Sequence, residues 1–292
     1  MRPFGELNPI TVFLYFILTA SVAMFCTNPI IAAMSLVGAV TFFIARNKRK
    51  GGRSHFVFFV MLIFISLINP LFYHNGATVL LVINNNPITL EALIYGIFTS
   101  AMIVSVLYWF RSFSQIMTSD KLLYILGSIS PKIALIFSMT LRYIPLFGKQ
   151  AEKVNQAQKA LGLYKDDNIV SSIKGGVRVF SVMVTWALEN GIVTADSMTA
   201  RGYGIKRRTY FSLYRLRKTD IILILVTVVL SAAVFFGIGT GALDFRFYPE
   251  ISPPIPSLSM YISYFSYAAL VLLPTFIEAE EGLKWRLLKS KI

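Results

Sequence analysis

Six apolar runs of roughly membrane-crossing length alternate with polar breaks, and one long mixed stretch separates the fourth run from the fifth. A helix of about 20 residues, rising 1.5 Å per residue, crosses the hydrocarbon core and satisfies its own backbone hydrogen bonds there. The first run extends from about Ile10 to Phe25. Asn28-Pro29 then turns the chain, and the second run ends near Ile44. The third covers about Phe56 to Phe72, with Asn69-Pro70 bending or ending it, because proline removes a helix donor. Tyr73 to Pro87 carries no Lys or Arg, and Val79 to Ile83 within it is apolar enough to dip into the interface. The fourth run starts near Ile88, with Glu91 close to the positive end of the helix dipole, and ends near Phe110. The fifth covers about Ile221 to Gly241 behind a capping Asp220, and the sixth about Leu258 to Ile277.

The mixed stretch, Arg111 to Thr219, is too long for a loop and holds no clean span, yet its pattern is helical. Ser130-Pro131 is a cap followed by proline at the first helical position. Ile133, Phe137, Leu141, Ile144, Phe147, Val154 and Ala157 follow at mostly helical spacing, with Pro145 predicting a kink and Gly162 a stop. Asp166-Asp167-Asn168 caps a second amphipathic helix through Ile169, Ile173, Val177, Phe180, Val184, Leu188 and Val193, which Gly202 ends. Gly175-Gly176 and Gly191 predict a bend in it. Two such helices joined by a short acidic turn predict a crossed or antiparallel pair against the cytoplasmic face of a membrane.

Composition agrees with a membrane protein: of 292 residues, 55% are hydrophobic and 14% charged, where a soluble domain carries about 25% charge. The formal net charge of +14 raises nucleic-acid binding, but the positions of the charges follow the positive-inside rule instead. Arg46 to Arg53 marks a cytoplasmic loop and places the N-terminus on the same side. The mixed stretch carries 17 Lys or Arg against 6 Asp or Glu, and on this topology Arg246 is the only one of 28 basic residues outside. The first run therefore reads as a retained span and both termini as cytoplasmic. The expected fold is all-α and polytopic, with about six transmembrane helices. Residues 1–110 hold spans one to four, 111–219 the cytoplasmic helical segment, and 220–292 spans five and six with a tail. Cys26 is the single cysteine, which excludes a disulfide framework and a cysteine metal cluster. His55 and His74 lack a second ligand at metal spacing and read as interfacial residues. Arg142 and Arg178, on apolar faces, are expected to snorkel or to pair with an acid such as Glu189.

Two helix-end segments repeat. Ala157-Gln158-Lys159-Ala160-Leu161-Gly162 and Ser197-Met198-Thr199-Ala200-Arg201-Gly202 both read small residue, two spacers, Ala, X, Gly, 40 positions apart. Two explanations fit these residues. Ala-X-Gly is a common helix stop, and Arg favours the negative end of any helix. Small residues before an exposed Arg also let a helix tip enter a narrow groove, where the guanidinium can fork onto a carboxylate.

Ala200-Arg201-Gly202-Tyr203-Gly204 with Lys206, Arg208 and Thr209 resembles the second signature of the transmembrane T component of energy-coupling-factor (ECF) transporters, the EcfT/CbiQ family. Further similar segments occur in the same order: Asn69-Pro70-Leu71-Phe72 with His74 and Gly76, Leu90-Glu91-Ala92 with Tyr95-Gly96, Asp120-Lys121-Leu122-Leu123, and Leu141-Arg142-Tyr143-Ile144-Pro145. The resemblance implies a prokaryotic cell-membrane protein that joins two ABC ATPase subunits, as a homo- or heterodimer, to a small substrate-capturing S component. Vitamins and transition-metal ions are the usual cargoes. It also implies that the two helix tips, Ala160-Leu161-Gly162 and Ala200-Arg201-Gly202, dock in grooves on the ATPases. Leu161 departs from the family pattern, which has arginine there, so the first contact is expected to be apolar and the second ionic. Met139, Met183 and Met198 could give adaptable partner contacts.

Two other classes match the sequence less well. Asp196 with Ala200-Arg201 faintly resembles the core of lipid-head-group phosphotransferases. Those need further aspartates one and two helical turns on, whereas the next acid here is Asp220. The permease of a conventional ABC importer carries a single coupling loop, to which Ala151-Glu152 with Gly162 is a poor match. The chain has no Gly-x-x-x-x-Gly-Lys loop, so it is expected to be a non-catalytic subunit without a cofactor.

Overall fold

The computed structural model describes residues 4–47, 52–73, 76–83, 86–162, 169–205 and 214–289. Among these residues the protein is all-α but for one hairpin. Its helices are α1 (Pro9–Phe25), α2 (Pro29–Asn47), α3 (Gly52–Phe72), α4 (Leu90–Ile116), α5 (Ser119–Ile129), α6 (Pro131–Ala160), α7 (Ile169–Ala200), α8 (Lys218–Gly239) and α9 (Leu258–Lys289). Strands β1 (Val79–Ile83) and β2 (Asn86–Thr89) pair antiparallel ahead of α4. The chain divides into two compact units, one made of Met1–Leu122 with Tyr214–Ile292 and the other of Leu123–Leu213.

Five helices of the first unit, α2, α3, α4, α8 and α9, are long and apolar enough to cross a membrane. The sixth apolar helix, α1, has 17 residues, the lower end of spanning length. Asn8 starts α1 by accepting the Ile10 N–H at 3.0 Å, with Pro9 at the first helical position. Helices of this kind gain nothing from hiding apolar surface from lipid, so they associate through close packing and small residues. That logic is visible at three glycines. A Cβ on Gly38 would lie 1.7 Å from Val271 Cγ1, one on Gly237 2.1 Å from Ser263 Oγ, and one on Gly96 2.6 Å from the Ser66 carbonyl. These contacts seat α2 on α9, α8 on α9, and α3 on α4. By contrast α3 buries only Pro70 among its described residues, and Phe56, Phe59, Phe64 and Leu67 point outward as a lipid-facing helix requires.

The core of the bundle is aromatic. Phe4, fully buried, meets Tyr15, Phe16 and Phe42 edge-on at ring distances of 5.3, 6.1 and 5.7 Å. Trp109 stacks on Phe42 at 6.0 Å and donates its indole N–H to Ser35 Oγ at 3.2 Å. The segment leading into α1 ties several helix ends together. The Phe4 N–H donates to Glu278 Oε2 (3.3 Å), Glu278 pairs with Arg46 (3.5 Å), and the Asn8 N–H donates to Asp220 Oδ1 (3.2 Å). Asp220 does cap α8, through its side chain, which accepts the Arg217 N–H at 3.0 Å.

The structure differs from the sequence reading in several details. α4 runs to Ile116, past Phe110, and a separate helix, α5, follows it. α9 continues through Pro274 to Lys289, so most of the expected tail is helical. Val79–Ile83 forms a strand because Asn86–Thr89 returns beside it. His74, Lys206, Arg208, Thr209 and the Asp166-Asp167-Asn168 turn lie outside the described residues.

Candidate functional site

The two repeated tips share one backbone design. α7 ends in a Schellman turn, in which the Gly202 N–H donates to the Thr199 carbonyl (2.9 Å) and the Tyr203 N–H to the Met198 carbonyl (3.0 Å). Gly202 has φ +81°, a left-handed value at which a side chain is strained. α6 ends with the matching bond, Gly162 N–H to Lys159 carbonyl at 3.0 Å, and Gly162 has φ +68°. Each turn therefore closes the helix and leaves the residue before its glycine at the extreme end. Leu161 is 75% exposed there, and Arg201 is exposed without an ion pair to any described residue.

The turn by itself is not distinctive. α8, a plain membrane helix, ends in the same way, with Gly241 at φ +70°, Gly241 N–H to Ile238 carbonyl at 3.1 Å and Ala242 N–H to Gly237 carbonyl at 3.1 Å. What sets the two tips apart is the side chain they present, a lone isobutyl group on one and a guanidinium on the other. No described residue comes within 4 Å of a Cβ added at Gly162, and at Gly202 the nearest described atom to one is Ile205 Cδ1 at 3.7 Å.

The helices that carry these tips touch near their middles. Tyr143 Oη lies 2.8 Å from Thr194 Oγ1, and Phe147 meets Trp186 edge-on at 5.5 Å. Position 143 pairs with 194 and 147 with 186, so the two run antiparallel. Tyr143 and Phe147 stack on each other one turn apart at 5.7 Å, bracing the contact. The sequence reading places Phe147 on the apolar face and Tyr143 in a family-like segment but does not name Trp186, Thr194 or the contact, although aromatics at i and i+4 on an amphipathic helix were a usable signal. Elsewhere the pair is thinly covered. Gln158 is the one buried residue of α6. Ile133, Phe137, Leu141 and Ile144 of α6 and Val177, Phe180, Leu188 and Ile192 of α7 are exposed. Arg142, Arg178 and Glu189 form no ion pair with described residues, so the expected pairing with Glu189 is absent.

The other segments that resemble the family have physical roles in the bundle. Pro70 cannot donate to the carbonyl four residues back, and that carbonyl, of Ser66, faces Gly96, so Asn69-Pro70 and Tyr95-Gly96 meet in one close helix contact. Glu91 does more than complement a dipole. It accepts the Thr78 N–H at 3.2 Å and the Thr78 hydroxyl at 2.6 Å, fastening the hairpin entry to α4. Lys121 donates to the Ile116 carbonyl at 3.0 Å and to the Gly5 carbonyl, closing the C-terminal end of α4. Burial, reinforced by Arg46 and opposed by Glu6, lowers the Lys121 ammonium below the ordinary lysine range. Among the described residues no group of three His, Cys, Asp or Glu is placed to hold a metal ion.

A bundle of apolar helices and a second unit with two long amphipathic helices define a polytopic membrane protein. Residues 3–211 match the family of CbiQ, described as the cobalt transport protein. The energy-coupling factor transporter transmembrane protein EcfT of Listeria innocua is 30% identical over 187 residues, 60% of this chain and 71% of that protein. EcfT 1 of Listeria monocytogenes is 32% identical over 104 residues, 35% of this chain and 39% of that one. EcfT of Streptococcus equi is 26% identical over 106 residues, 36% of this chain and 39% of that one. The chain belongs to the EcfT/CbiQ family and is a transmembrane component of an ECF transporter.

Proposed function

We propose that this subunit transmits ATP-driven motion from two ABC ATPase subunits to a small membrane S component, which captures a vitamin or a transition-metal ion. Residues 111–219 act as the coupling segment, on the cytoplasmic side with both termini. The observation that carries this reading is the pair of matched helix tips, alike in backbone, open to solvent and opposite in chemistry. Arg201 forks onto a carboxylate in one ATPase groove, and Leu161 fills an apolar pocket in the other. Ala160 and Ala200 keep each tip slim enough to enter, and Gly162 and Gly202 turn the chain away behind it. The exposed apolar faces of α6 and α7 meet the S component, and the bond at Tyr143 makes the two rods move as one lever. The chain does no catalysis and holds no cofactor, since ATP is bound and split on the partner subunits.

Assembly tests this reading. Arg201→Ala and Leu161→Ala are co-expressed with the two ATPase subunits, and retention of each ATPase is measured after membrane extraction. Each variant is expected to weaken its own contact. Loss of ATPase from the Leu161 variant alone, with Arg201→Ala fully assembled, contradicts the assignment of Arg201 as the ionic anchor.

A further inference from the structure

The loop between α8 and α9 holds a feature that coupling does not use. Phe247 is buried, stacked on Phe98 at 5.0 Å with Tyr95 edge-on at 5.2 Å, and Phe245 packs on Phe247 at 4.7 Å. The backbone of Arg246 is bridged to Ser252 in both directions, at 3.2 and 2.9 Å. These anchors fix an extended strip in which alternate residues are held inward. The intervening ones, Asp244 and Arg246, line an open cavity of about 510 Å³ together with Thr240, Ser252, Ser257 and Ser259. Asp244 and Arg246 form no ion pair with each other or with any described residue. Both side chains are exposed, so each charge is open to a ligand in the cavity.

We propose that this cavity binds a zwitterion, with anionic oxygens at Arg246 and an ammonium at Asp244. A simple anion meets repulsion from Asp244, and a simple cation meets repulsion from Arg246. A ligand carrying both charges satisfies both, and the hydroxyls of Thr240, Ser257 and Ser259, already bonded within the protein, keep lone pairs that can accept from it. The helix ends reinforce this polarity: α8 closes at Thr240 with its negative end, and α9 opens at Ser257 with its positive end, where Ser257 Oγ accepts the Met260 N–H at 3.3 Å. Both helices are membrane-crossing, so their ends stand at the depth of lipid headgroups. The volume falls in the ordinary range of about 300–1,000 Å³ for small-ligand sites. Two sources share this chemistry, the headgroup of phosphatidylethanolamine and a free zwitterion such as glycerophosphoethanolamine.

Native mass spectrometry of the full chain in detergent tests the proposal, with dimyristoyl phosphatidylethanolamine and dimyristoyl phosphatidylglycerol as matched probes. The wild type is expected to retain the zwitterionic lipid about fivefold better, the worth of one exposed charge pair. Asp244→Asn removes that preference while still binding the anionic lipid, and Arg246→Gln weakens both. Each side chain is exposed, so an unchanged melting temperature of the ligand-free variants confirms that they fold. Soluble glycerophosphoethanolamine then assigns the source. Displacement of the lipid shows that a free zwitterion is enough, and failure to displace it makes the bilayer the source. Equal retention of the two lipids by the wild type, or a preference that both variants keep, overturns the proposal.

Discussion

Tyr143 Oη on α6 lies 2.8 Å from Thr194 Oγ1 on α7, a hydrogen bond that joins the middle of α6 to the last two turns of α7. Tyr143→Phe removes this bond and keeps the ring stack on Phe147. The expected cost is about 0.5–1.5 kcal/mol of local stability. Hydrogen exchange of amides in 186–194 should rise in the variant, and that in α1 and α2 should not. Equal exchange throughout would mean that the bond carries no load.

Gly38 and Val271 provide a test of the membrane bundle. Gly38→Ala places a methyl group 1.7 Å from Val271 Cγ1, so α2 and α9 must separate or Val271 must turn. Overpacking of this kind costs about 1–3 kcal/mol. Thermal denaturation in detergent should show the loss in Gly38→Ala and recovery in the double variant Gly38→Ala/Val271→Ala. A double variant no better than Gly38→Ala contradicts this packing.

Phe4 is expected to hold the bundle end together out of proportion to its place near the chain start. Its ring is fully buried against three aromatic neighbours, and its N–H is held by Glu278. Phe4→Ala empties that site, a change of about 3–5 kcal/mol in a close-packed core. The measurement is the melting temperature of the extracted protein, which should fall well below that of Phe56→Ala, a lipid-facing change on α3.

The membrane helices were legible because lipid enforces long apolar runs, and the charge asymmetry separated the loops. The two tips were legible as well, since Gly162 and Gly202 mark left-handed turns that few other residues accept. α5 was not, because α4 stops at Met117 in an extended conformation without the glycine or proline that announces an ending. Nor was the role of Glu91. A first-turn acid suits any helix, and its partner Thr78 is supplied by the fold of the hairpin rather than by a local pattern. The contact of Tyr143 with Thr194 joins residues 51 positions apart, which periodicity along one helix cannot reveal. Leu161 was conspicuous only against a family expectation; by itself an exposed leucine is unremarkable.

Docking of the two tips is measured most directly by a photo-activated cross-linking residue at position 159 or 199, which keeps Leu161 and Arg201 in place, in the transporter assembled in its native membrane. Both positions should capture an ATPase subunit, with capture at 199 lost in high salt and capture at 159 retained. Cross-links from both tips to lipid or to the chain itself, with no ATPase captured, would contradict it.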